Sequence, residues 1–165
     1  MLDKDGLSLF LISTQALDCQ PYNSSNTDVT WESCTLRKWM NESFLNAAFS
    51  AEEQAIIQST NVPADKNPDY YTDPGNATTD KVFLLSIKEM EKYSDIFRSR
   101  CEPTAYAVAN GVWTSRHISR WWLRSTGRDQ AAASYCSESG WDSPHASVDY
   151  EDWGVCPALW INLEF

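Results

Sequence analysis

The segment RWWLRSTG, residues 120–127, decides how this chain folds. Arginines recur around it every four residues, as on one face of a helix, at Arg116, Arg120, Arg124 and Arg128. A helix would, however, leave Trp121 and Trp122 on largely exposed faces, and most residues of the segment prefer strands. We therefore predict a strand in which Trp122 and Arg124 share one face. If that face is buried, Arg124 needs an acidic or carbonyl partner.

The composition predicts one globular domain that spans residues 1–165. The chain is 42% hydrophobic and 22% charged, which provides enough apolar surface for a core. Its net charge is −10, and after Arg128 the only charged residues are acidic: Asp129, Glu138, Asp142, Asp149, Glu151, Asp152 and Glu164. Such a tail repels phosphate backbones, so we expect no nucleic-acid partner. No apolar run reaches the length of a membrane span, so we expect no transmembrane segment.

Turn and helix signals outline the first half of the chain. DKDG at residues 3–6 predicts a hairpin at the start. Apolar residues at helical spacing predict a helix over residues 33–48 that buries its Trp39 face, with Thr30 as the cap. Ser50 with Glu53 forms a capping-box pattern that predicts a second, short helix. The segment 61–79 is rich in Pro, Asp, Asn and Gly, which predicts a long surface loop.

The second half begins with an apolar run. KVFLLS at residues 81–86 predicts a buried strand, and Ser86 with Glu89 predicts a capped helix through Tyr93. PTAYAVANG at residues 103–111 predicts a short helix that starts at Pro103 and ends before Gly111. The five cysteines form no CxxC pair, and we expect buried thiols at Cys19, Cys34, Cys101, Cys136 and Cys156.

Five segments carry a resemblance: RKWMNESFLNAAFS, DKVFLLSIKEMEKY, CEPTAYAVANG, WWLRSTG and GVCPALWINL occur in this order. From Leu2 to Leu163 the chain resembles a family of uncharacterised domains from gut bacteria and their phages. That family is similar to a branch of the C-type lectin fold related to the formylglycine-generating enzymes. The resemblance implies an α+β, C-type-lectin-like domain with a mixed or antiparallel sheet, several short helices and long loops, whose first and last strands pair.

The resemblance also implies that WWLRS and PALWI are central scaffold strands beside a loop-rich region with ligand-facing side chains. The chain departs from the family pattern at two positions. Cys156 stands where the family usually has the arginine of GVRPALW, and Thr126 stands where it usually has proline. The lost arginine removes whatever buried ion pair it made, and a thiol can pack there as a small apolar group.

Residues 128–153, between the two motifs, are dense in Ser, Asp, Tyr, Trp and His. Such side chains are typical of adaptable recognition surfaces, and two tryptophans weigh against an ordinary solvated loop. The candidate ligand contacts are Asp129, Gln130, Tyr135, Ser137, Ser139, Trp141, Asp142, Ser143, His145, Ser147, Asp149, Tyr150, Asp152 and Trp153.

The resemblance extends to variable proteins of diversity-generating retroelements, whose C-terminal segment is rewritten at adenines and displayed on a lectin-like scaffold. Asparagine codons rewritten in this way yield Tyr, Ser, Asp, His, Cys or Gly, which are abundant in residues 128–153. We therefore expect a non-enzymatic receptor-binding or adhesin-like domain with a hypervariable region. Its ligand would be a protein or glycan, and upstream sequence would attach it to a cell surface or a phage particle.

Three alternatives stay open. We expect no cofactor, although calcium could take oxygen ligands from an acidic group at Asp142, Asp149, Glu151 and Asp152. An enzyme of the formylglycine-generating type would work through Cys136 or Cys156, and Cys136 with His145 is another nucleophile and base pair. The domain could also be a structural module of a larger surface protein, because a hairpin that starts at residue 1 suggests a strand that begins earlier.

Overall fold

The computed structural model describes residues 1–94, 101–140 and 142–163, without the side chains of Asp142 and Pro144. The described residues form a mixed α+β fold with mostly strands and a few short helices. The helices are α1 (Thr35–Trp39), α2 (Leu45–Ala48), α3 (Ala51–Ile56), α4 (Ile87–Lys92) and α5 (Ala105–Ala109). The strands are β1 (Asp3–Asp5), β2 (Ser8–Ile12), β3 (Gln15–Ala16), β4 (Asp18–Cys19), β5 (Thr60–Val62), β6 (Thr78–Asp80), β7 (Glu102–Pro103), β8 (Thr114–Ser115), β9 (Ile118–Ser119), β10 (Trp121–Thr126), β11 (Ala132–Cys136), β12 (Asp142–Ser147), β13 (Gly154–Val155) and β14 (Ala158–Asn162).

RWWLRSTG forms the centre of the larger sheet, which confirms the strand prediction. β10 is the middle strand of the order β12-β11-β10-β13-β4, antiparallel to β11 and parallel to β13. Trp121 and Trp122 are both 0% exposed. Arg124 has a carbonyl and an acidic partner, because its guanidinium donates to the Leu84 carbonyl at 2.9 Å and pairs with Glu89. Its buried Nη2 has no hydrogen-bond partner among the described residues.

The two ends of the chain meet in a second sheet, ordered β1-β2-β14. β2 and β14 pair antiparallel from Ser8 opposite Asn162 to Ile12 opposite Ala158, so the last strand pairs with the second strand, whereas the resemblance implied that it pairs with the first. The expectation that PALWI is a central strand is wrong. PALWI contributes β14, which is the outer strand of this sheet. The outer edge of β14 forms isolated β-bridges with Ile57 and Phe83.

KVFLLS connects the two sheets without becoming a strand of either, so the predicted strand is wrong although its burial is confirmed. Phe83 exchanges backbone hydrogen bonds with Ala158 at 2.8 and 2.9 Å. The Leu85 carbonyl accepts a hydrogen bond from the Arg124 N–H at 2.9 Å. The segment therefore divides its backbone hydrogen bonds between β14 and β10, and no continuous ladder forms.

The helix predicted over residues 33–48 is present, but Thr30 does not cap it. It consists of α1, a π-helical turn (Met40–Phe44) and α2, and its cap is Cys34. Residues 31–33 form a turn instead, in which the Trp31 indole donates to the Asp80 carboxylate at 3.0 Å. Trp39 is only half-buried, and the buried residues are Leu36, Met40 and Leu45, of which Leu45 follows Met40 by five residues across the π turn.

The other local signals are confirmed with small shifts. Capping boxes start α3 at Ser50 and α4 at Ser86. The helix in PTAYAVANG is α5, but its cap is Thr104, because Pro103 pairs in β7. The first hairpin turns after β1, so DKD is itself the first strand.

Both predicted loops contain more structure than the sequence indicates. The loop at 61–79 is closed by β5 and β6, and the amide of buried Asn67 donates to the Thr126 carbonyl at 2.8 Å. Residues 128–153 contain the β11–β12 hairpin, so the prediction of a loop is wrong for the residues of these two strands. Ala133, Cys136 and Ala146 are 0% exposed, which shows that small residues of the segment pack into the core.

Candidate functional site

A backbone hydrogen bond from β13 fixes the position of Arg120. The Gly154 N–H donates to the Arg120 carbonyl at 2.8 Å. A Cβ at Gly154 would lie 2.8 Å from the Ala16 Cβ and 2.9 Å from the Arg120 oxygen, so only glycine permits this approach. The close pairing places Trp153, the residue before Gly154, beside Arg120.

Trp153 is the buried centre of an aromatic cluster and is 4% exposed. Its ring stacks on Trp122 at a centroid distance of 4.7 Å and meets the Tyr135 ring edge-on at 3.9 Å. Tyr150, which is 48% exposed, lies 5.8 Å away on the outside. The Trp122 indole donates to the Gln20 carbonyl at 2.9 Å, which fixes the base of the stack.

The Arg120 guanidinium lies on these rings. Its central carbon is 4.0 Å from the centroid of the Trp113 ring and 5.9 and 5.8 Å from those of Tyr135 and Trp153. These are cation–π distances, and Trp gives the strongest such contact. The backbone N–H of Trp113 donates to the Asp152 carbonyl at 2.7 Å, so the chain segment after β12 fixes the backbone that carries the ring.

Glu138 holds the other side of the guanidinium. The Arg120 Nε donates to Glu138 Oε2 at 3.0 Å and Nη2 to Oε1 at 3.5 Å. This hydrogen bonding lowers the pKa of Glu138 and raises the pKa of Arg120, so the pair stays charged. The two side chains are 30% and 36% exposed, so a ligand can reach both. We call this surface the Arg120 platform, which consists of Trp113, Arg120, Tyr135, Glu138, Tyr150 and Trp153.

A cleft of about 480 Å³ opens beside the platform and shares Glu138 with it. Its other lining residues are Ser115, Arg116, Ile118 and Ser139. Arg116 and His117 form the turn between β8 and β9 with φ of 51° and 67°, a conformation that non-glycine residues seldom adopt. Both are exposed, and Arg116 lines the cleft, so this strained turn presents a cation there.

The structure brings some of the predicted contact residues together at the platform. Tyr135, Tyr150 and Trp153 belong to it, and Asp152 is exposed next to it. Ser139 lines the adjoining cleft, and its hydroxyl lies 2.8 Å from that of Ser137. Trp141 lies outside the described residues, as does the side chain of Asp142.

Other predicted residues lie apart from the platform cluster. Gln130 donates to the carbonyls of Val29 and Asp73 at 3.2 and 2.9 Å, so it joins two loops. Asp129 is exposed beside Arg128. The His145 ring is exposed and 5.9 Å from the Tyr70 ring.

The hydroxyl of Ser147 hydrogen-bonds Asp149 and accepts a bond from Asn26 at 3.1 Å. Ser143 is half-buried opposite Tyr135.

Sequence reasoning missed Trp113, Arg120 and Glu138. Only Arg120 could have been found from the sequence, because side chains two residues apart on a strand project to the same side and Arg120 is two residues from Trp122. Trp113 and Glu138 come from other parts of the chain and reach the platform only through the order of the strands.

A family model described as "Domain of unknown function (DUF6273)" matches residues 8–163. The chain belongs to this family. The match covers all five strands of the larger sheet of the DUF6273 domain, β2 and β14 of the second sheet, and every residue of the Arg120 platform. Neither the curated proteins nor the solved structures gave a match.

All five cysteines of this DUF6273 chain are buried thiols, as predicted. Cys136 and Cys156, the candidates for thiol chemistry, are both 0% exposed. Burial raises the pKa of Cys156 well above its ordinary value, and the neighbouring Cys101 and Cys136 add to the effect. A protonated thiol inside a packed core is a poor nucleophile.

Among residues 1–94, 101–140 and 142–163, no three His, Cys, Asp or Glu side chains are grouped so that they could hold a metal ion. The acidic side chains proposed for calcium include Asp142, whose side chain is not described. In the described part of the chain, no helix has the length and apolarity that crossing a membrane requires.

Proposed function

We propose that this domain binds a ligand without catalysing a reaction, on a C-type-lectin-like scaffold, and that the Arg120 platform is the centre of its contact surface. The observation that carries the proposal is the Arg120 guanidinium, which lies 4.0 Å from the Trp113 ring and stays partly exposed. Rings and a cation held in this way bind with little further loss of conformational entropy. The pairing of β2 with β14 supports the proposed scaffold.

The chemistry of the platform indicates what the ligand offers. Arg120 can bind an acidic or hydroxyl group in addition to Glu138, and the exposed side of Tyr150 can pack against an apolar or sugar-ring surface. A protein or glycan ligand with an acidic group next to such a surface fits both. The strained turn at Arg116 supplies a second cation across the cleft.

Our proposal includes diversification of residues 128–153 by a retroelement. Its structural support is the division of the β11–β12 hairpin into inward small residues and outward polar ones. Ala133 and Ala146 are 0% exposed, whereas His145 and Ser139 are exposed. A reverse transcriptase gene and a near-identical template repeat beside the coding sequence would support this part. An intact locus without them would refute it and leave ligand binding untouched.

A binding screen tests the main proposal. The fluorescently labelled chain is incubated with a panel of intact gut-bacterial cells and with an immobilised glycan array. For each surface that binds, Arg120→Ala and Tyr150→Ala should weaken binding at least about tenfold, because each removes a central contact. Tyr106→Ala is the matched control, since Tyr106 is 63% exposed on α5, outside the platform.

Thermal melts of all three variants establish that they are folded. Folded Arg120→Ala and Tyr150→Ala variants that bind like the wild-type chain would refute the platform as the contact surface. A reaction product released from any bound surface would refute the non-enzymatic assignment.

A further inference from the structure

Two thiols that are far apart in sequence meet in the core. The Cys101 Sγ lies 2.8 Å from the Cys156 Sγ, although 55 positions separate the residues. Unbonded carbon atoms pack at about 3.5–4.0 Å, and sulfur is larger than carbon, so this separation is short for two thiols. The sulfur atoms of a disulfide are about 2.05 Å apart, so a shift of less than about 1 Å would bring the two within bonding distance.

The backbone on both sides holds the two cysteines in place. The N–H and the hydroxyl of Ser119 donate to the Cys101 carbonyl at 2.8 and 2.9 Å. On the other side, the Val155 carbonyl, just before Cys156, accepts from the Leu17 N–H at 3.0 Å. Both backbone segments are therefore fixed at positions that bring the two sulfur atoms together.

We propose that Cys101 and Cys156 form a disulfide bond when the chain folds in an oxidising environment. The proposal is independent of the ligand-binding function. The oxidant is a small disulfide such as oxidised glutathione. One cysteine thiolate attacks it, forms a mixed disulfide and releases one glutathione thiol. The second thiolate then attacks the protein sulfur of the mixed disulfide, forms the protein disulfide and releases the second glutathione thiol, and the two protein protons end on the released thiols.

The exchange takes place before the core closes. In the folded chain both cysteines are 0% exposed, so glutathione cannot reach them. The finished bond encloses residues 101–156, which include β10 and the whole of residues 128–153. It therefore removes conformations from the unfolded chain around the proposed contact segment, and we expect it to raise Tm by about 5–15 °C.

The test refolds the full chain in a mixture of reduced and oxidised glutathione, quenches it with acid and alkylates it after denaturation. We expect three alkylated thiols where the fully reduced chain has five. Digestion with chymotrypsin then identifies the pair by mass spectrometry, because cleavage after Trp141, Tyr150 or Trp153 separates Cys136 from Cys156. A peptide with Cys101 linked to Cys156 is the expected product.

Two variants control the experiment. Cys136→Ala should keep the linked peptide and the difference in Tm between oxidised and reduced samples. Cys101→Ala should lose both. Alkylation of both Cys101 and Cys156 in the oxidised wild-type chain would overturn the proposal, as would a peptide that links Cys136 to either. The wild-type chain alone decides the outcome if a variant fails to fold.

Discussion

Replacing Trp153 by alanine should destabilise the domain far more than replacing Tyr150 by alanine, although both rings belong to the Arg120 platform. Trp153 is 4% exposed and lies between the rings of Trp122 and Tyr135, whereas Tyr150 is 48% exposed. The sequence places both among the ligand contacts. The structure gives them different environments, one inside the framework and one on its surface.

The magnitudes follow from burial. Truncating a buried tryptophan to alanine costs about 3–5 kcal/mol, because the transfer free energy is lost and a cavity remains. The contacts with Trp122 and Tyr135 place Trp153 near the middle of that range, at about 4 kcal/mol. Tyr150 already has half of its surface in water, so its truncation should cost roughly 1 kcal/mol.

Urea denaturation, monitored by circular dichroism, measures the free energy of unfolding without depending on the fluorescence of the removed tryptophan. Trp153→Phe is the matched control, because it keeps a ring in the stack and should cost about half as much as Trp153→Ala. A loss below about 2 kcal/mol for Trp153→Ala, or a loss equal to that of Tyr150→Ala, would refute the reasoning. It would mean that Trp153 is not held in the core in solution.

Three further predictions concern stability. Arg124→Ala should cost about 3 kcal/mol in urea denaturation, because it removes one partner of a buried ion pair; a cost under 1 kcal/mol would contradict that burial. The double replacement Arg116→Asn and His117→Gly should stabilise the chain by about 1 kcal/mol, because Asn-Gly favours a two-residue turn with positive φ. An unchanged Tm would argue against strain in this turn. Hydrogen bonds from Tyr93 and Lys92 lower the pKa of Asp3 from 3.8 to about 2. Its stabilising contribution is therefore complete above pH 3.8 and lost as the pH falls through 2, so the Tm difference between wild type and Asp3→Asn should vanish below pH 2.

The parts of the fold that the sequence predicts are those in which local preference and burial agree. RWWLRSTG combines residues that prefer strands with indoles that must be covered, and β10 is the result. The capping boxes at Ser50 and Ser86 are likewise local, since each cap depends on residues within one helical turn. KVFLLS shows the limit. Its apolar run predicts burial. Its hydrogen bonds depend on its position between two sheets, and the run does not encode that position.

The candidate site was only partly predictable because its members meet through tertiary structure. Trp113 lies before β8 and Glu138 lies after β11, and no spacing in the sequence connects either with Arg120. The buried position of Trp153 was also hidden. It follows a polar stretch, and only the close approach of Gly154 to Arg120 carries its ring into the core.

The alternation of β11 explains how one strand can serve both the framework and the surface. Tyr135 pairs with Trp122, whereas Cys136 pairs with Trp121, so the two neighbours project to opposite sides of the sheet. On the side of Tyr135 the rings lead outward to Tyr150, and a change there alters contacts with a ligand more than it alters the core. On the side of Cys136 the residues are completely buried, and a larger side chain would overpack the interior. A recognition surface on this sheet can therefore vary at Tyr135 and outward from it, whereas Cys136 must stay small.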